Sequence, residues 1–342
     1  MTTTLQAADL KSFAVAILQA VGTPDDLAQV VAASLVSANL AGHDSHGVLR
    51  LPSYVEGVRD GQVLPAARAE AEPVAAACAR VDGGRGWGQP AAHLAADTVM
   101  DLARANGVGL AVIRHCGHIG RLGEYVEKLA QAGHMGLMTC NARPAVAPYG
   151  GYTRLLGTNP VAWAAPRAQG KPPLAVDFAT ATIAEGKLRL AHAAGSRVPA
   201  GAVVDRRGRP SQDTTAFYDG GALTTFGGHK GYGLSVMAEL MGGVLSGAGA
   251  SCLPGFDGGN GVAIVAIDVA RFVPPADFLA EVEELCNRLH ESPHAAGFDE
   301  IQVPGEPEER SRERRITQGV SVSDSIYRSL NELAAELGVR RI

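Results

Sequence analysis

Neither G-x-G-x-x-G nor G-x-x-x-x-G-K-[ST] occurs anywhere in the chain. Every G-x-G (84/86, 86/88, 107/109, 231/233, 247/249, 259/261) lacks the third glycine. A bound dinucleotide would therefore lie outside the usual Rossmann turn, in which backbone amides approach the pyrophosphate. Cysteine is sparse. Cys78, Cys116, Cys140, Cys252 and Cys286 are odd in number, scattered and never spaced C-x-x-C, which argues against a disulfide framework or thiolate zinc site and favours a reducing cytoplasm. An excess of basic charge is also missing: 30 Lys and Arg stand against 35 Asp and Glu, a net −5, so nucleic acid is not an expected partner. No clean apolar run of about 18 residues is present. The richest segment, GYGLSVMAELMGGVLSGAGASCLPG (231–255), contains Glu239 and many glycines and reads as a buried helix and loop rather than a membrane span. The start, MTTTLQAADLKSFAVAILQAVG, has no basic leader or small-residue cleavage site and reads as a helix.

What is present is an ordinary globular composition, 46% hydrophobic and 19% charged, over 342 residues, enough for roughly two domains. Residues 5–42 read as two helices, with Leu27, Val30, Val31 and Leu35 at helical spacing. From about residue 76 short β-type runs take over: VGLAVIR (108–114), MGLMTC (135–140), VAWAAP (161–166), LAVDFAT (174–180) and VAIVAID (262–268). LAEVEELCNRLHE and SDSIYRSLNELAAELG return to helical periodicity. The expected architecture is α/β without a Rossmann fingerprint. Residues 1–75 together with 262–342 form a discontinuous helix-rich substrate and dimerisation domain, and residues 76–261 form the nucleotide-binding α/β domain. The charge run EPEERSRERR (306–315) is balanced in sign and reads as a solvated helix face.

The 42 glycines cluster in HCGHIGRLGEY (115–125), PYGGYTRLLGTNP (148–160), AEGKL (184–188) and FGGHKGYG (226–233). Such loops serve equally as tight turns or as backbone donors around a phosphate-bearing ligand. In AGHDSHGVLRLPSYVEG (41–57), a helix capped by Asp44 or Ser45 would set His46, Arg50 and Tyr54 on one face at i, i+4 and i+8. A proton carrier beside a guanidinium suits a small carboxylic acid that gains or loses a proton; the same spacing also fits an idle polar face. His43/His46 and His115/His118 form two H-x-x-H pairs, so a metal-dependent hydrolase is a rival, although no carboxylate sits at a matching offset in HCGHIG. Lys187 and Lys230 stand in glycine-rich motifs and suit an anionic cofactor or substrate. Asp177 ends an apolar strand, either as a functional group or as the cap of the next helix.

DSHGVLRLPSYVEG, HIGRLGEY, NARPAVAPYGG, GTNPVAWAAP, DFAT with AEGKL, GGHKGYGL and VPGEPEER follow one another in the order seen in the type 2 malate/L-lactate dehydrogenase family. The chain resembles that family from about residue 5 to 340. The resemblance implies NAD- or NADP-dependent hydride transfer at C2 of a 2-oxo, 2-hydroxy or cyclic 2-imino acid, without a metal, in a homodimer with the site near the interface. By the same resemblance His46 is the proton donor with Ser45 beside it, and His118 is a base in some members. Arg50, Tyr54, Thr158 and Asn159 contact substrate. His118, Asn141, Ala142, Asp177, Phe178, Ala179, Lys187, His229, Lys230 and the Pro304-Gly305-Glu306 segment contact the cofactor, and Asp177 also orients the histidine. The chain departs from the pattern at His115-Cys116, at Ala142-Arg143 and in TTAFYDGGALTTF before the HKGYG loop. A non-catalytic dinucleotide-binding protein on the same fold is the other alternative.

Overall fold

The computed structural model describes residues 2–342, apart from the side chain of residue 193. Helical spacing buries one face of each N-terminal helix. In α1 (Ala7–Ala20) that face is Leu10, Phe13, Ala14, Ile17 and Leu18, and in α2 (Asp25–Leu40) it is Leu27, Ala28, Val31, Ala32 and Leu35. Two short 3₁₀ turns, Asp44–His46 and Val48–Arg50, lead into α3 (Leu51–Arg59). The far end of the chain completes this core. A strand at Thr2–Leu5, β1, pairs antiparallel with the strand Val320–Ser323, and Leu330, Leu333 and Ala334 of the helix Asp324–Glu336 pack onto α1–α3.

The middle of the chain builds a seven-stranded sheet. Its strands are β2 (Glu70–Ala75), β3 (Cys78–Gly86), β4 (Val108–Cys116), β5 (His134–Cys140), β6 (Pro160–Ala165), β7 (Leu174–Ala179) and a late strand, Val262–Asp268, that inserts between β4 and β5. Only β3 and β4 run parallel; every other neighbouring pair is antiparallel. This mixed sheet is unlike a doubly wound parallel one, in keeping with the missing fingerprint. The helices α4 (Gly88–Asn106) and α5 (Gly123–Gln131) cover it through Ala91, Ala95, Val99, Tyr125, Val126 and Leu129.

The expected domain boundaries at 75/76 and 261/262 fall at the sheet itself. Glu70–Ala75 is an edge strand, and Val262–Asp268 lies at the centre with Val265 opposite both Leu110 and Leu137. The run VAIVAID is apolar on both faces because both are covered. Chain order alone does not convey that insertion. Residues within 320–342 pack onto the N-terminal helices. By contrast Cys286, in the helix Pro275–His290, and Val303 pack on Leu174 of β7.

A satellite core sits beyond β7. The helix α6 (Glu185–Ala193) and the strands β8 (Val203–Val204) and β9 (Pro210–Ser211) come first. The helix α7 (Thr215–Tyr218) and the strand β10 (Ala222–Leu223) complete it, around Val146, Leu156, Leu188, Val203 and Phe217. The segment after it, α8 (His229–Ala238) and a π turn Glu239–Val244, buries Glu239 but leaves Leu240, Val244 and Leu245 more than half exposed. The expectation of a buried helix there holds for Ser235, Ala238 and Glu239 and fails for Leu240, Val244 and Leu245. Among the described residues no helix is long and apolar enough to cross a membrane. At one end of the sheet Gly86 pairs with Cys116, Val262 with Cys140, and Pro160 with Ala179. The loops leaving that end face the turns after α2.

Candidate active site

A cavity of about 1470 Å³ opens between those loops, the turns and α6. One wall is the 44–50 segment. The continuous helix expected from Asp44 does not form, because Gly47 adopts an extended conformation (φ −88°, ψ −156°). Asn39 explains the break: its Oδ1 accepts the Val48 N–H at 2.9 Å and its Nδ2 donates to Asp44 at 2.6 Å. A Cβ at position 47 would stand 2.2 Å from that Oδ1. Asp44 caps nothing. Its two oxygens receive Arg315 Nη1 and Nη2 at 2.6 and 3.0 Å, from α10 (Glu306–Gln318), the helix that comes after α9 (Pro275–His290).

His46 and Arg50 reach the cavity from this knotted turn. His46 Nδ1 lies 3.0 Å from Ser45 Oγ. Arg50 Nε donates to Ser45 O at 2.9 Å, and among the described residues its Nη groups have no partner. Burial first, then the Arg50 charge, pushes His46 down to about 3. The His118 ring stacks on His46 with centroids 5.5 Å apart and lies well below its ordinary value for the same two reasons. Tyr54 Oη is 2.8 Å from His118 Nδ1 and accepts Gln89 Nε2–H at 2.7 Å; burial pushes the phenol up to about 12.

The opposite wall comes from β7 and α6. Asp177 accepts the Gly123 N–H at 2.8 Å, and burial raises its carboxyl although Arg121 pulls the other way. Among the described residues no hydrogen bond joins Asp177 to His46. Arg121 is 3% exposed and paired through both Nη groups with Glu127 at 2.8 and 3.1 Å, while its Nε, buried, has no partner. Gly186, in the first turn of α6, lies so close to the 44–50 turn that a Cβ there would meet Ser45 Cβ at 2.4 Å. Lys187 follows it on the lining, with no hydrogen bond or ion pair among the described residues.

The cavity thus gathers Ser45, His46, Arg50, Tyr54, His118, Ala142, Thr158, Asp177, Phe178, Ala179 and Lys187. It does not gather all the expected residues. Asn141 and Asn159 are fully buried, and their amides hold Glu239 with help from Gly157 and Ser251. His229 and Lys230 are exposed at the start of α8, off the lining, with His229 edge-on to Tyr149. Pro304 and Gly305 pack against Pro173 and Ala175, and Glu306 meets His290, also off the lining. Arg121 and Gln89, which residue spacing does not single out, are buried beside the site; the one available signal is that Arg121 lies inside the HIGRLGEY motif.

The two H-x-x-H pairs divide. His43 Nε2 sits 3.2 Å from Glu308 and His115 Nδ1 sits 3.0 Å from Asp82. Among the described residues no three His, Cys, Asp or Glu side chains are placed to hold a metal ion. The charge run at 306–315 is not an idle solvated face: Glu308, Arg312 and Arg315 of α10 tie to His43, Glu127 and Asp44.

Residues 5–331 match the family model described as malate/L-lactate dehydrogenase. The chain belongs to that family. It is an oxidoreductase. It is 34% identical to the malate dehydrogenase of Pyrococcus abyssi over 97% of this chain and 94% of that one. It is 36% identical to the Δ1-pyrroline-2-carboxylate/Δ1-piperideine-2-carboxylate reductase of Pseudomonas syringae pv. tomato over 92% and 91%. The solved malate dehydrogenase of Pyrococcus horikoshii OT3 superposes with a TM-score of 0.91 at 30% identity, covering 100% of this chain and 97% of that one. The mixed sheet and paired terminal segments are therefore features of a family fold, and a nicotinamide cofactor is what dehydrogenase relatives imply.

Proposed function

We propose that the protein transfers hydride between NAD or NADP and C2 of a small 2-oxo or 2-hydroxy acid or cyclic 2-imino acid, with His46 as proton donor and acceptor. The observation that carries this reading is the pairing of His46 with Arg50 in one cavity, where the guanidinium keeps its Nη groups free. An unpartnered, half-buried guanidinium on the lining calls for a planar anion, and a carboxylate matches it with two parallel hydrogen bonds.

The cavity fits a cofactor as well as an acid. Its volume, about 1470 Å³, exceeds the roughly 300–1,000 Å³ of ordinary small-ligand sites. Lys187 offers a free ammonium on the lining, and Phe178 and Ala179 an apolar wall. When bound, the nicotinamide supplies or removes the hydride at C2. Arg50 holds the carboxylate. In oxidation, neutral His46 takes the hydroxyl proton; in reduction it returns a proton to the oxygen or nitrogen at C2. Ser45 fixes the imidazole through Nδ1. A bound carboxylate offsets the Arg50 charge that depresses His46, so the ring's proton affinity rises as substrate enters.

Exposed Leu240, Val244 and Leu245 in and just after the π turn support a homodimer, and five unpaired thiols support a reducing, cytoplasmic setting. The test is NAD(P)H absorbance across a panel of 2-oxo acids and cyclic imines. Turnover that favours lower pH in reduction and higher pH in oxidation is expected. Tight NAD(P)H binding with no turnover on any member would replace this reading with a non-catalytic one.

A further inference from the structure

Two imidazoles face each other in the cavity, and residue type alone leaves either free to act as base. The hydrogen bonds around His118 separate them. Gly120 N–H lies 3.3 Å from His118 Nδ1. A backbone N–H can only donate, so Nδ1 presents its lone pair. Tyr54 Oη, 2.8 Å from the same nitrogen, receives the Gln89 amide N–H at 2.7 Å. Its own proton is therefore left for Nδ1. With the one Nδ1 lone pair taken by the Tyr54 O–H and shared with the longer Gly120 N–H contact, the single proton of the neutral ring sits on Nε2.

We infer that His118 is a fixed hydrogen-bond donor to a substrate oxygen through Nε2–H, not a base, and that Gln89, Tyr54 and Gly120 hold it in that tautomer. The inference rests on the dehydrogenase reading for the identity of the acceptor. A reversed Gln89 amide would draw the Tyr54 proton toward itself and require a proton on Nδ1, aimed at the Gly120 N–H, donor against donor. A doubly protonated ring meets the same conflict. Burial and the nearby Arg50 favour the neutral ring independently. His118 makes and breaks no bond to hydrogen during turnover, and the reaction's proton passes through His46 alone. Gln89, fully buried with its Oε1 unpartnered, acts as a positioning residue.

His118→Gln keeps an N–H near the Nε2 position but cannot serve as a base, whereas His118→Leu keeps neither. The Gln variant is expected to hold kcat within about tenfold of wild type with an unchanged pH profile, and the Leu variant to lose on the order of 10² in kcat/KM. A Gln variant as inactive as Leu, with a loss on the order of 10²–10⁴, overturns the assignment. Nitrogen-15 NMR of histidine-labelled wild-type protein reads the tautomer without turnover. An Nε2–H ring that stays neutral between about pH 5 and 8 is expected, and an Nδ1–H or titrating ring overturns the proposal. A wild type that shows the Nε2–H tautomer but no NAD(P)H turnover leaves the tautomer standing and removes the dehydrogenase reading instead.

Discussion

His43 and His115 each meet a carboxylate, Glu308 at 3.2 Å and Asp82 at 3.0 Å, whereas His46 and His118 meet each other and the charge of Arg50. Both pairs share one H-x-x-H spacing. The outer histidine of each pair is a polar tie: the hydrogen bond from His43 holds Glu308 below the usual carboxylate range. The inner histidine of each is desolvated beside a cation, so it stays neutral and available. Three residues of separation are enough to turn the same side chain from structural partner to candidate catalyst, because the environment rather than the residue sets the proton's affinity.

Replacing one histidine of a pair at a time tests that division. His46→Ala is expected to lose on the order of 10²–10⁴ in kcat with cofactor affinity nearly kept. His43→Ala, three residues away, is expected to stay within about tenfold, since a partly exposed hydrogen bond to Glu308 contributes about 1 kcal/mol. Equal losses in steady-state kinetics would erase the distinction between inner and outer rings.

Arg315→Met removes the cation from Asp44 and loosens the turn that carries His46. A destabilisation of about 1–3 kcal/mol is expected in urea titrations, below the value for a fully buried pair because Asp44 is about one-third exposed. A fall in kcat larger than the rise in KM should accompany it. Loss of stability with kinetics untouched would reduce the clamp to scaffolding.

The smallest effect is a slope. His46 has a folded-state value of about 3 against an ordinary unfolded value of about 6.5. Below about pH 6.5 the unfolded chain binds a proton that the folded chain refuses, so stability contributed by the neutral ring falls as pH drops from about 6.5 toward about 3. The slope is at most about 1.4 kcal/mol per pH unit for one ring. His46→Gln should flatten part of the wild-type decline in urea midpoint, and His43→Gln should leave it in place. An unchanged slope in the first variant would mean that His46 is not held neutral.

Much of this was legible in residue order, for reasons that also mark where legibility stops. Strands β4 to β7 announce themselves as short apolar runs, and α1 and α2 as helical stripes, because burial imposes a local period. His46 and Arg50 stand out because acid–base and carboxylate chemistry need those side chains. Asn141 and Asn159 carry the same polar signature as ligand contacts, yet they surround Glu239. A motif does not tell which way an amide faces. The break at Gly47 depends on Asn39, and the role of EPEERSRERR depends on His43, Asp44 and Glu127, partners up to 271 positions away. No short window of sequence contains both halves of the contacts that α10 makes.

That separation has a consequence for biosynthesis. Asp44 receives Arg315 and Glu308 receives His43 across 271 and 265 positions, and a chain growing from its N-terminus makes α2 and the 44–50 turn long before either partner exists. Domains commonly fold as they emerge, but here the segment bearing His46 lacks its anchoring helix until the chain has grown by a further 271 positions. Nascent chains of this protein are therefore expected to gain catalytic competence only after α10 has emerged.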